Sequence, residues 1–356
     1  MSVPLAAVLA RHWPAYQRRW GRHLLPSHRA AVAAIRRCRT PQSGGQLYRC
    51  DCGAVHYAYH SCGHRACPQC GHADATAWLA RQQTRLLPGV PYFLVTFTVP
   101  AELRGLIRAH QKPLLALLFR ESAATLQEVA AQSRHLGAEL GMLGVLHTWS
   151  RQLIYHPHIH YVVAGAGLSA DGLRWRRVKS ADFFLPERVL ARRLRQRLRL
   201  ALARAHPQWL AALPSTVWRT DWVVDGIAVG AGASALKYLS AYVYRTALGN
   251  DRILADDARG VTFRFRRSDN GRWQTLTLAP AEFLRRFLQH VLPRGFQRVR
   301  SYGWLAPAAK VRWQRIEALL DWHRPAPPPV TPVPPPECPR CHQPMIVVHR
   351  LPRAPP

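Results

Sequence analysis

The stretch "HPHIHYVVAGAGL", residues 156–168, sets three histidines at alternate positions and then runs into apolar β-formers. Successive side chains of a strand leave opposite faces, so His156, His158 and His160 share one face and Ile159 turns to the other. A single strand histidine is usually structural, and a pair can simply be matched to carboxylates. Three on one face point instead to a divalent ion. Two imidazoles plus a third ligand leave positions open for phosphate oxygens, and the cation can polarise a phosphodiester. His156 is the first candidate for that third ligand, because it shares the face with His158 and His160.

Charge says what such a site would meet. The chain has 356 residues, with 50 Lys and Arg against 19 Asp and Glu, a net charge of +31. Lys112, Lys179, Lys237 and Lys310 are its lysines and arginine supplies the rest. Guanidinium forks fit phosphate oxygens two at a time and stack on bases, which makes nucleic acid the expected partner. Codon bias exchanges lysine for arginine but does not create this excess of bases over acids. At 48% hydrophobic residues the chain has enough apolar material for real cores, which excludes a disordered tail protein. No window approaches the run of about 20 apolar residues of a membrane span, and the apolar part of "MSVPLAAVLARHW" is too short for a signal peptide. A cytoplasmic protein is expected, and in a reducing compartment its eight cysteines point to metal rather than disulfides.

Six of them, Cys38, Cys50, Cys52, Cys62, Cys67 and Cys70, crowd the N-terminal part, and "CPQC" at 67–70 is a two-residue knuckle. Zinc takes four such ligands tetrahedrally, and its binding folds a segment too small to have its own core. Six thiolates exceed one site and fall short of two, so histidines are expected to complete the set. His23 and His64 are the candidates carried forward, for one or two structural Zn²⁺ ions. The spacing of Cys50 and Cys52 leaves the partition open. The late pair Cys338 and Cys341 cannot close a site alone: His342 and His349 finish it, or the pair is a remnant.

Working outward from the histidines, "PYFLVTFTVP" (91–100), "MLGVLHTWS" and "STVWRTDWVVDG" read as strands. Residues 111–134, "LPERVLARRLRQRLRLALARAH" behind Pro186 and Glu187, "ASALKYLSAYVYRTAL" and "AEFLRRFLQHVL" read as helices. "VTFRFRRSDNGRWQTLTL" reads as a hairpin turning at Asp269, Asn270 and Gly271. This alternation lacks βαβ regularity and predicts an α+β fold, with a central antiparallel sheet flanked by helices. "PAPPPVTPVPPP" (325–336) is a stiff spacer. The divisions expected are a zinc-binding domain over 1–88, a catalytic domain over 89–306, a helix and Pro-rich linker over 307–336, and a cysteine-knuckle tail over 337–356.

The phosphate chemistry also needs a nucleophile. In "KYLSAYVYR" Tyr238 and Tyr242 stand four apart, on one face of a helix, between Lys237 and Arg245 as candidate DNA contacts. A phenol beside a bound phosphate can attack phosphorus. Pattern alone favours core packing for aromatics so spaced. Trp218, Trp222, Trp273 and Trp304 lie among arginines and are candidate stacking platforms for single-stranded DNA, although core burial is the commoner fate of any one tryptophan.

"HPHIHYVVAGAGL" followed by "KYLSAYVYRTALGN" resembles the two-tyrosine HUH endonucleases, and specifically transposases of the insertion sequence 91 family. The likeness runs through "CRTPQSGGQLYRC", "SCGHRACPQC", "PYFLVTFTVP", "VTFRFRR" and "EFLRRFLQHVLPRGFQRVRSYGWLA", nearly everything from about residue 20 to 306. It departs from the family at Cys50-x-Cys52, where two intervening residues are usual, and at Ala66, where a histidine is usual and His64 is the substitute at hand.

The resemblance implies that His158 and His160 hold Mg²⁺ or Mn²⁺ and that Tyr238 or Tyr242 attacks a phosphate of single-stranded DNA. The products would be a 5′-phosphotyrosine and a free 3′-OH, later rejoined to another strand in rolling-circle-like transposition. The zinc domain would read element-end DNA, at the nucleoid. A rolling-circle replication initiator or relaxase-type nickase shares the same residues, and a non-catalytic zinc-dependent DNA-binding regulator is the alternative from another class.

Overall fold

The computed structural model describes residues 2–70, 72–231, 234, 246–267, 269–326, 329 and 334–354, and the side chains of 72–75 are outside the description. In chain order the elements are α1 (Leu5–Trp20), α2 (Pro26–Arg37), β1 (Gly45–Arg49), β2 (Val55–Tyr59), α3 (His72–Gln83), β3 (Pro91–Thr98), α4 (Ala101–Ala109), α5 (Gln111–Ala131), β4 (Glu139–Trp149) and β5 (Tyr155–Leu168). There follow β6 (Trp175–Arg177), α6 (Glu187–Ala205), α7 (Pro207–Ala211), β7 (Val223–Ala231), β8 (Ile253–Asp257), β9 (Gly260–Arg266), β10 (Trp273–Leu278), α8 (Pro280–Leu288), β11 (Val299–Gly303), α9 (Lys310–Leu320) and β12 (Ile346–Leu351). The fold is α+β, with antiparallel sheets flanked by helices and a cysteine-rich N-terminal region.

The central sheet runs β11-β4-β5-β3-β7, with β6 on β5, and every pairing is antiparallel. Alternation along its strands decides its two faces. One face carries Val95 and Phe97 of β3, Met142 and Leu146 of β4, and Ile159, Tyr161 and Val163 of β5. These pack on Leu115, Leu118, Phe119 and Leu126 of α5 and Leu190, Leu194 and Leu198 of α6. α6 is studded with arginine, yet its leucines every fourth residue form one buried stripe. Arg197 on its flank pairs with Glu121 and Glu128 of α5 at 3.1 Å each. Tyr161 locks α5 to β5: its hydroxyl lies 2.8 Å from Ser122 Oγ and donates to the Phe119 carbonyl at 3.1 Å. The neighbouring strand gives it room, since a Cβ on Gly144 would lie 2.6 Å from the Tyr161 ring.

The opposite face is divided. At one end Leu94, Leu143, Val145, Val162 and Ala164 are covered by Trp304 and by Trp313 and Ile316 of α9. At the other end the same face carries Thr96, Thr98, His147, His158 and His160. Polar side chains take over where the helical cover stops.

Two smaller bodies accompany the central sheet. α1 and α2 share a core with the β10-β9-β8 sheet and α8, through Leu9, Trp13, Ile35, Phe263, Phe283 and Phe287. The other body is a three-stranded sheet, β12-β1-β2, whose first strand comes from the end of the chain. "STVWRTDWVVDG" is a strand only from Val223; Ser215–Trp218 form a 3₁₀ turn behind Pro214, and Trp222 is buried against Val217. "ASALKYLSAYVYRTAL" falls largely at 235–245, outside the described residues, and with it Lys237, Tyr238, Tyr242 and Arg245.

Candidate metal centres and nucleic-acid cleft

His158 and His160 leave β5 on the polar face, as the alternation requires, and the third imidazole that meets them belongs to the next strand. His147 of β4 stands directly opposite His158 in the ladder, and ligand nitrogens of His147, His158 and His160 all lie within 4.8 Å of one another. Ring centroids are 4.8 Å apart for His158 and His160, and 4.9 Å for His147 and His160. His156, the candidate from alternation, lies one step further along the strand, its ring 5.2 Å from that of His158. Its contribution to the triad is through the backbone. The Nδ1–H of His158 donates to the His156 carbonyl at 2.6 Å, which turns Nε2 toward the centre.

Thr96 of β3, paired with His160 across the sheet, does the same for its neighbour, with Oγ1 at 2.9 Å from His160 Nδ1. The ring of His147 stacks on Trp149 at 4.5 Å. Burial pushes the His158 imidazole down to about 4, the His156 carbonyl opposing this. At neutral pH His158 is therefore uncharged with a nitrogen lone pair to give. His147 and His160 are buried as well. Three nitrogen donors converging from two strands, with the outer nitrogens of His158 and His160 held by a carbonyl and a hydroxyl oxygen, fit a divalent cation that keeps positions open for other oxygens.

The triad floors a cleft of about 760 Å³. One wall is the β4–β5 connection with Arg151 and Gln152. The other is the β9–β10 hairpin with Phe265, Arg266, Arg267 and Gln274, joined by Arg252. Arg151 fastens the walls together by donating to the Arg266 and Arg267 carbonyls. Ala247, which follows Tyr242 closely in the sequence, lines the same cleft.

Beyond the rim stands Trp273, half exposed, with the guanidinium of Arg264 4.9 Å from its ring centroid and those of Arg252 and Arg266 at 5.8 Å. Of the four tryptophans named from the sequence, Trp222 and Trp304 are core residues and Trp218 packs half-buried against the core. Trp273 presents a ring to solvent among cations, as base stacking needs.

The cysteines fall into two groups of four, and among the described residues no histidine enters either. Cys38, Cys62, Cys67 and Cys70 form one tetrad; Cys50 and Cys52 stand apart from it, beside Cys338 and Cys341. In the first, Sγ atoms of Cys38 and Cys62 are 3.2 and 3.4 Å from that of Cys70. Tetrahedral zinc with bonds of about 2.3 Å sets its sulfurs about 3.8 Å apart, so the thiols fit the ion with little adjustment. Hydrogen bonds from neighbouring thiols, Cys67's first, hold the Cys62 thiol down to about 5, and that bond and burial push Cys67 up.

The expected histidine ligands have other duties. His64 uses Nδ1 to accept from the Ala66 amide at 3.1 Å, shaping the turn into "CPQC". His23 closes the 3₁₀ turn after α1, its ring against Trp20. The first tetrad rests on the core of the α1–α2 body through Cys38 and Cys67. Its loop is tied to the segment between α8 and β11 by Arg65, whose guanidinium donates to the Leu292, Pro293 and Phe296 carbonyls.

Three convergent imidazoles on the floor of an arginine-walled cleft, in a chain that also carries a cysteine-rich module, are the features of a protein of nucleic-acid processing. Comparison with known proteins names the class. The family described as "Putative transposase" matches residues 141–312, from β4 through the start of α9, and that described as "Transposase zinc-binding domain" matches residues 8–99. A Sinorhizobium fredii protein carried under the first of those descriptions, y4qJ, is 36% identical over 339 residues, 90% of this chain and 84% of its own. The transposase for insertion sequence element IS801 of Pseudomonas savastanoi pathovar phaseolicola is 30% identical over 296 residues, 77% of this chain and 69% of its own. No solved structure matches the chain significantly. The chain belongs to the transposases of the insertion sequence 91 family, with a zinc-binding domain at its N-terminal side. It is a nucleic-acid-processing enzyme whose partner is DNA. Among the described residues no helix is long and apolar enough to cross a membrane.

Proposed function

We propose that this transposase cuts and rejoins single-stranded DNA over the His147–His158–His160 centre, using Tyr238 and Tyr242 as nucleophiles. The observation that carries the reading is the convergence of three imidazoles, within 4.8 Å of one another, on the floor of a cleft walled by arginines. The divalent cation, Mg²⁺ or Mn²⁺, supplies Lewis-acid polarisation of the scissile phosphate when bound. Imidazole is a borderline donor, and the described cluster holds no carboxylate, so Mn²⁺ is the better match of the two.

The rest is the work of the chain. Thr96 and the His156 carbonyl fix the ring orientation of His160 and His158. Arg252, Arg266 and Arg267 along the wall meet backbone phosphates, and Trp273 receives a base. A tyrosine oxygen attacks phosphorus and forms the 5′-phosphotyrosine bond as the bond to the 3′ oxygen breaks. The phenol proton is given up, and the departing oxygen takes a proton to become the 3′-OH. In the reverse step a 3′-OH attacks the phosphotyrosine and releases the phenol, so the bond energy is kept without ATP. Two tyrosines allow two strands to be held at once, as rolling-circle transposition of an insertion sequence needs. Entry of Ala247 into the cleft wall, shortly after Tyr242, supports that assignment.

The test uses labelled single strands bearing the element end, with Mn²⁺ or Mg²⁺. Wild-type protein is expected to give a denaturation-resistant adduct, and Tyr238→Phe with Tyr242→Phe is expected to abolish it while binding persists. Undiminished adducts in the double variant would remove the nucleophiles from this account.

A further inference from the structure

We propose that Cys338 and Cys341, from the tail of the chain, join Cys50 and Cys52 in a second, separate zinc centre that fastens the C-terminal segment onto the N-terminal sheet. This inference stands on the second cysteine group and is independent of the strand-cleavage reading above.

The four thiols come from two knuckles separated by nearly the whole sequence. Cys50 Sγ lies 3.3 Å from Cys341 Sγ, and Cys52 Sγ lies 3.5 Å from Cys338 Sγ. All four sulfurs lie within 4.8 Å of one another. These separations are far beyond a disulfide bond of about 2.05 Å and close to the edge of a tetrahedral zinc site.

The backbone on both sides is built as a metal knuckle. Gly53, directly after Cys52, has φ +83°, and His342, directly after Cys341, has φ +59°. A left-handed residue turns the chain back on itself there, and for histidine that conformation is uncommon. The returns are held by Cys50 N–H donating to the Ala54 carbonyl and by Cys338 N–H donating to the Gln343 carbonyl, at 2.9 Å each. The Arg340 amide points at Cys338 Sγ from 3.4 Å, where it would stabilise a thiolate.

Packing alone does not explain why the tail sits there. The cluster around these thiols consists of Cys50, Ala54, Cys338 and Met345, with Tyr48 against it. The strand that follows leaves its own apolar side chains in water: Ile346 is 62% exposed, Val347 45% and Val348 40%. β12 nevertheless pairs with β1 from Gly45↔Leu351 to Arg49↔Ile346. A strand docked with so little apolar burial needs another source of stability, and a four-thiolate ion beside the Arg49↔Ile346 end supplies it. The pairing also covers the β1 edge and turns two small sheet pieces into one three-stranded unit.

The experiment counts zinc in the full-length protein by native mass spectrometry under reducing conditions. Two ions per chain are expected in the wild type, and one in Cys338→Ser with Cys341→Ser. Two ions retained by that variant, or one in the wild type, would overturn the second centre. Should the variant not fold, a protease site placed in the Pro-rich spacer of the otherwise wild-type chain decides. After cleavage the tail peptide is expected to co-elute with the body and to leave on chelation. A tail that leaves while zinc is present, or stays after chelation, would overturn the clasp.

Discussion

The cysteine tetrad at Cys38, Cys62, Cys67 and Cys70 and the histidine triad at His147, His158 and His160 are built on opposite rules. The tetrad takes four thiols from one loop-rich segment, closes on itself, and leans on a shared apolar core. The triad takes three nitrogens from two neighbouring strands of a rigid sheet, and one side of it opens on a cleft. Four soft ligands complete a tetrahedron and hold a fold together, whereas three ligands on a fixed floor leave room for something to react. On the proposed function, stability resides in the first centre and chemistry in the second, and each is expected to be disturbed with little effect on the other.

The largest effect is expected at the tetrad. Cys67 is 1% exposed, and Cys67→Ser removes a ligand from a module with little core of its own. Structural zinc contributes on the order of 10 kcal/mol to small domains, so a fall in melting temperature of more than about 10 °C is expected, reproduced by chelating the wild type. Calorimetry with and without chelator checks it; a variant melting with the wild type would dissolve the contrast between the two centres.

Thr96→Val should do the reverse, leaving stability nearly unchanged while the orientation of His160 is lost. Loss of such an outer partner typically costs about 10–100-fold in metal affinity. Titration calorimetry with Mn²⁺ reads it, and an unaltered affinity would show that the hydroxyl does not set the ring.

Acid should affect folding through histidines that belong to neither centre. Burial pushes His28 and His290 down to about 4. The unfolded chain, with ordinary values near 6.5, binds more protons between these limits. Stability is then full above about pH 6.5 and falls as pH drops toward 4, by up to ~3 kcal/mol for each group. Melting temperatures across that range test it, and His290→Gln should flatten the slope; a slope unchanged by that substitution would reassign it.

The smallest effect is expected at the rim. Trp273→Ala should weaken single-stranded DNA binding by about 1–3 kcal/mol while leaving metal affinity alone. Fluorescence anisotropy separates the two, and equal affinity in variant and wild type would deny the ring its base.

What the sequence shows of these centres follows from how local each one is. Alternation at 156, 158 and 160 is local, and it places His158 and His160 correctly on one face of β5. The third nitrogen is not local. His147 meets them through the β4–β5 register, which two irregularities shift, so alternation along β5 offers His156 in its place. A histidine in "MLGVLHTWS" was the available signal, but its meaning depends on the pairing. The cysteines show the same limit. "CPQC" announces a site, whereas Cys50 and Cys52 find their neighbours 291 and 286 residues away, beyond any spacing rule. His64 invites selection as a ligand because it sits among cysteines, yet its Nδ1 is engaged by the Ala66 amide. Trp273 differs from Trp222 and Trp304 only in burial, which composition does not reveal.

Covalent adduct formation on element-end single strands with Mn²⁺, compared across four single variants, tests the central claim most directly. His147→Ala, His158→Ala and His160→Ala should each lower adduct yield about a thousandfold, the several kcal/mol a Lewis acid contributes, with melting temperatures close to wild type. His156→Ala should keep most of the yield. Adducts undiminished in the three triad variants, or lost only with His156, would contradict the account.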